Sequence, residues 1–100
     1  MKRMEKNPPR TPGEILIQDF LKPRGMPQSN FALRIGVTGA CINHIVSGRN
    51  RVSAQLALRF EAVLKTPARF WLEAQMTYDL YLAEMDEYAT LERRDMQPIG

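Results

Sequence analysis

A chain of 100 residues with 44% hydrophobic residues makes one globular domain, or one domain with a tail; no run nears the ~20 apolar residues that span a bilayer, and MKRMEKNPPR leads into no secretory signal, so a cytoplasmic location is expected. One cysteine, Cys41, and one histidine, His44, exclude an internal disulfide, a zinc site built on cysteine pairs and a site of several histidines, and no metal or organic cofactor is expected. The net charge of +3 divides into +8 over residues 1–70 (twelve Lys/Arg, four Asp/Glu) and −5 over residues 71–100 (two against seven); a basic body suits phosphate and an acidic end suits another partner, although two solvated faces give the same balance.

Residues 1–11 are polar, contain Pro8 and Pro9, and read as a flexible arm. Thr11-Pro12-Gly13-Glu14 starts a first helix: Thr as N-cap, Pro at the first helical position and Glu at the third, which makes a capping box. It runs through Ile15, Leu16, Phe20 and Leu21 and stops at Lys22-Pro23, with Arg24-Gly25 as the turn. A second helix starts near Pro27, carries Phe31, Ala32 and Ile35, and ends at Gly36. Thr38 caps a third helix of about ten residues, with Cys41, Ile42, Ile45 and Val46, that stops at Gly48. Arg49, Asn50 and Arg51 form a basic loop. Ser53 caps a fourth helix with Ala57, Leu58, Phe60, Ala62, Val63 and Leu64. Thr66-Pro67 starts a fifth by the same cap-then-proline logic; it runs through Phe70, Trp71, Ala74, Tyr78, Tyr81, Leu82 and Met85 toward Tyr88. Strand-like alternation and hairpin turns are missing. The expected architecture is all-α with five helices: an arm over 1–11, a domain over 12–83, and an acidic helix end and tail over 84–100.

Residues 28–47 carry the most information. Two short helices meet across a tight turn that holds a glycine. Ala32 falls where the helices cross, a place for a small side chain. Gly36 falls where the backbone turns with positive φ. Val37, Ile42 and Ile45 point back into the core and set the angle between the helices. This is the physical recipe for a helix-turn-helix, whose second helix lies in the DNA major groove.

At their spacing, Gln28, Phe31, Ala32, Gly36, Val37, Ile42 and Ile45 resemble the phage-repressor (XRE) type of helix-turn-helix. Five packed helices that never meet DNA are the structural alternative. The third-helix face opposite Cys41, Ile42, Ile45 and Val46 carries Thr38, Gly39, Ala40, Asn43 and His44, and the resemblance implies that these face base edges. Asn43 is the best base reader, because its amide bonds adenine bidentately. Thr38 is a candidate for a phosphate or a thymine methyl, with a plain N-cap as the alternative or companion role. His44 is either a phosphate contact or solvated. Gly39 and Ala40 depart from relatives with longer polar side chains there, which shifts weight to DNA shape. Gln28 matches a family position that bonds the phosphate backbone, beside the amides of a helix N-terminus. Arg49, Asn50 and Arg51 follow the recognition helix and are placed for the next phosphates, with a solvated turn as the alternative. Cys41 reads as a small core residue rather than a redox switch.

A second resemblance covers about residues 12–80. PGEIL at 12–16, FLKP at 20–23, IGV at 35–37, INHIVSG at 42–48, ALRF at 57–60 and FWLEAQMTYDL at 70–80 look like the HigA-type antitoxins, also called VapI-like or virulence-associated protein I. The resemblance implies a homodimer that binds an inverted-repeat operator, represses its own operon and neutralises a small basic ribonuclease toxin of the HigB or RelE type. The residues agree where they speak. A monomer of this size has a small DNA footprint, and a dimer supplies the second half-site. The apolar stripe at 70, 74, 78, 81, 82 and 85 is wide enough to bury its near end and offer its far end to a partner, with an all-core stripe as the alternative. The acid in residues 84–95 suits a basic partner. The rivals are a stand-alone repressor without a toxin, a protein-interaction module, and a small nuclease; the lone histidine and the lack of clustered carboxylates argue against the nuclease.

Overall fold

The chain enters its first helix through a reciprocal cap. Thr11 Oγ1 accepts from the Glu14 N–H at 3.1 Å, Glu14 Oε1 accepts from the Thr11 N–H at 2.8 Å, and Pro12 takes the first helical position, as expected. The computed structural model describes residues 8–86 and 93–100, and among these it contains five helices and no strand. Helix α1 is α-helical over Pro12–Ile15 and tightens into a 3-10 turn over Lys22–Arg24. Between them, over Leu16–Leu21, it widens into a π-helix, which the sequence pattern did not suggest. The Lys22 N–H reaches back five residues to Ile17 O. A π turn brings i and i+5 onto one face, and Leu16 and Leu21 are both fully buried.

The other helices are α2 (Gln28–Ile35), α3 (Gly39–Val46), α4 (Ala54–Leu64) and α5 (Ala68–Met85). Thr38 and Ser53 cap α3 and α4 through their hydroxyls, accepting from Cys41 N–H at 3.0 Å and Leu56 N–H at 3.1 Å. Helix α3 is eight residues long, shorter than the ten expected. The start of α5 differs. Lys65 closes α4 in the left-handed region, with φ 62°, so the chain restarts one position later than Thr66 predicts. Pro67 becomes the N-cap residue, and the Thr66 hydroxyl donates back to Leu64 O instead of capping α5. Residues 1–7 of the expected arm lie outside the described residues, as does Tyr88; α5 itself ends at Met85, where Asp86 turns extended at φ −78° and ψ 111°, short of the expected run toward Tyr88.

All five helices bury residues in one core, whose largest members are Trp71, Phe31, Phe60, Leu16, Leu21 and Ile42. A chain of ring contacts crosses it: Phe31 to Phe60 at 5.4 Å, Phe60 to Trp71 at 4.9 Å and Trp71 to Phe20 at 5.2 Å. Such pairs contribute about 0.5–1.5 kcal/mol each beyond their buried area. Trp71 thus ties α5 to α4 and α1. The apolar stripe of α5 is turned from its expected register. Trp71 and Gln75 are the buried positions, whereas Phe70 and Leu82 are exposed, as are Met76 and Leu80. The reason is a mixed inner face, on which Gln75 displaces the apolar residues that helical spacing favours. No helix among the described residues is long and apolar enough to cross a membrane.

Candidate DNA interface

Helix α3 is held from below by Ile42 and Ile45, both buried, and by Ala32 of α2, which is 2% exposed. The turn between α2 and α3 follows from Gly36, at φ 76° and ψ 35°. Val37 N–H bonds Ala32 O at 3.0 Å and Gly36 N–H bonds Leu33 O at 3.2 Å, which is the Schellman arrangement. Arg59 of α4 adds a bond from Nη1 to Ile35 O at 2.8 Å, so a side chain from a distant helix satisfies another terminal carbonyl of α2. On its other side α3 lies directly on α1. A Cβ on Gly13 would fall onto Ile45 O and 2.7 Å from Val46 Cα, so the two backbones touch.

With its core face fixed, α3 turns the opposite arc outward. Gly39, Ala40 and Asn43 are exposed, and His44 is half-buried at the edge of the arc. Positions 39, 40, 43 and 44 are related by three- and four-residue steps and therefore share one face. Thr38 stands at the head of that face. Its oxygen accepts the Cys41 N–H, and its own hydroxyl proton remains to donate outward. Gln28, the first residue of α2, is half-buried. The loop after α3 folds back onto the His44 carbonyl, which accepts from Arg49 N–H at 2.9 Å and Asn50 N–H at 3.1 Å. Arg49 and Asn50 are exposed. Arg51 is exposed too, but its guanidinium donates through Nε and Nη2 to Asp79 Oδ2 of α5, at 2.8 and 2.6 Å. Cys41 is half-buried, on the core side of α3.

The helix-turn-helix family model matches residues 17–71. Virulence-associated protein I of Dichelobacter nodosus is 38% identical over 76 residues, covering 76% of this chain and 70% of the relative. The solved structure of antitoxin GraA superposes with a TM-score of 0.86 at 34% identity, over 94% of this chain and 100% of that one. Antitoxin HigA of Pseudomonas aeruginosa, solved with the higBA promoter, superposes at 0.82 with 29% identity, over 92% of this chain and 99% of that one. This chain belongs to the HigA-type antitoxins of the helix-turn-helix family.

Within this HigA-type fold, the residues expected to read bases and the loop that follows them come from one continuous stretch, 38–51, and Gln28 comes from the start of α2. Four contributors to its geometry were missed by reading residues for base and phosphate contact: Gly13, Arg59, Gln75 and Asp79. Gln75 and Asp79 had a signal. They are polar residues of the FWLEAQMTYDL segment four positions apart, and so share one helix face with each other. Gly13 had none, because its partner is a backbone more than thirty residues away.

Proposed function

We propose that this HigA-type chain binds double-stranded operator DNA as a homodimer, represses its own operon, and neutralises a small basic ribonuclease toxin of the HigB or RelE type. It acts by binding and not by catalysis. The carrying observation is the exposed arc of α3, where Thr38, Gly39, Ala40, Asn43 and His44 surround a small-residue surface that a major groove accommodates. In this reading Asn43 contacts a base edge, Thr38 and Gln28 contact phosphate, and Arg49, Asn50 and Arg51 follow the backbone beyond. The division into an arm, a DNA-binding domain over 12–83 and an acidic end over 84–100 belongs to the same reading. Partner binding draws support from α5, where Met76 and Leu80 are exposed beside half-buried Leu72 along an open groove of about 410 Å³. Exposed apolar side chains along one helix suit a protein partner.

Two measurements test the reading. The chain is titrated against the duplex upstream of its own gene and against a scrambled duplex. Preference for the upstream duplex and a steep fall with salt are expected; equal binding to both rejects operator recognition. The chain is also co-expressed with the product of the adjacent small gene. Relief of that product's growth arrest, with co-purification, is expected; arrest that persists without co-purification leaves a stand-alone repressor.

A further inference from the structure

A chain of side-chain hydrogen bonds joins the loop after α3 to α5. Gln75 Oε1 accepts from the Val52 N–H at 2.9 Å, Gln75 Nε2 donates to Asp79 Oδ1 at 3.0 Å, and Asp79 Oδ2 accepts from both Nε and Nη2 of Arg51. Gln75 is 7% exposed and Val52 4%, so the first bond lies out of water. An ionised carboxylate only accepts. It therefore requires the Gln75 amide to turn Nε2 toward it, which leaves Oε1 for the Val52 N–H. The reversed amide would set two donors against each other at Val52 and two acceptors at Asp79.

At Arg51 the same carboxylate fixes the guanidinium plane. Two of its five N–H donors are used, and the side chain remains 74% exposed, which leaves three donors for a further acceptor. A guanidinium already held in place loses less rotamer freedom on meeting phosphate.

We propose that Gln75 and Asp79 are positioning residues for the DNA interface: from α5 they hold the backbone at Val52 and the Arg51 guanidinium in binding geometry before DNA arrives. The inference rests on the reading that residues 49–51 face phosphate, and it adds a role for two residues far from the base-reading face. It separates cleanly from simple electrostatics. Asp79 is a negative charge beside a phosphate-facing arginine. By charge alone its removal tightens binding to every DNA; by positioning its removal weakens binding, because Arg51 is no longer held in place to meet phosphate.

The test uses the full-length protein, the duplex upstream of its own gene and a scrambled duplex, with D79N, D79E, R51A and the D79N/R51A pair. Circular dichroism at the titration temperature verifies that each variant is folded. D79N is expected to weaken binding to both duplexes by a similar factor, about tenfold, because a phosphate contact acts on every sequence. D79E keeps the charge and alters the reach, and a smaller loss of the same kind is expected. In the R51A background, D79N is expected to cost much less than it does alone, since both act through one guanidinium. The inference is overturned if D79N binds both duplexes more tightly, because Asp79 then only withholds Arg51. It is also overturned if the D79N and R51A losses simply add, or if folded D79N binds both duplexes as tightly as wild type does. A wild-type protein without preference for the upstream duplex removes the DNA reading itself, and the inference with it; retained wild-type preference confines any failure to the roles of Gln75 and Asp79.

Discussion

Replacing Gly13 by alanine probes the seat of α3 at a point where no side chain can yield. The added methyl would fall onto Ile45 O, 2.7 Å from Val46 Cα and 2.9 Å from the Ile45 carbonyl carbon, all backbone atoms. To accept it, α1 and α3 must part. A gap of about 0.5–1 Å forfeits roughly a quarter to a half of each dispersion contact it opens. The buried residues at risk are Ile15 and Leu16 on α1 and Ile42 and Ile45 on α3. Overpacking of this kind costs about 1–3 kcal/mol, and the gain of alanine over glycine inside a helix, about 0.5–1 kcal/mol, offsets only part of it. A net loss of about 1.5 kcal/mol lowers the melting temperature of a domain this size by about 6–12 °C. Thermal and urea melts followed by circular dichroism measure it. Gly39→Ala is the matched control, because an added Cβ there meets nothing within 4 Å, and its stability is expected within about 0.5 kcal/mol of wild type. A Gly13→Ala protein that melts within 2 °C of the Gly39→Ala control would refute the claim that α1 and α3 meet backbone to backbone.

Asn43→Ala is expected to cost about 1–3 kcal/mol on the cognate duplex and to relax sequence preference, while scrambled DNA binds as before; equal losses on both in a titration would move the base-reading role elsewhere. Lys65→Gly is expected to raise stability by about 0.5–1 kcal/mol in urea melts, because the left-handed cost to an L-residue exceeds the entropy cost of glycine; a lower midpoint would contradict this. Hydrogen bonds from Arg10 to both Asp19 oxygens, each at 2.9 Å, hold the Asp19 carboxyl below its usual range. That contribution is present above the ordinary carboxylate pKa of about 4 and is lost as pH falls through the lowered value, so Asp19→Asn is expected to melt below wild type at pH 7 and to converge with it in acid. The pair is exposed and the difference is small; a gap that persists unchanged into acid would assign it to something other than this ion pair.

Local chemistry made most of the fold legible. The capping box at Thr11 and Glu14, the caps at Thr38 and Ser53, the stop at Gly36 and the helical spacing of Phe31, Ile35, Ile42 and Ile45 all act within about one turn of chain, so residue order carries them. The outward arc of α3 followed from the same periodicity, since the core face, once known, leaves only one face for Asn43 and its neighbours. Tertiary structure decided what depends on partners remote in sequence. Gly13 is required by the backbone of residues 45 and 46, Arg59 by the end of α2, and Gln75 and Asp79 by the loop at 51 and 52. It also set the register of α5, where a buried glutamine interrupts the apolar stripe because a buried N–H at Val52 needs an acceptor more than that face needs another methyl group. Periodicity reports which residues avoid water, but only the folded neighbours determine which polar group must accompany them.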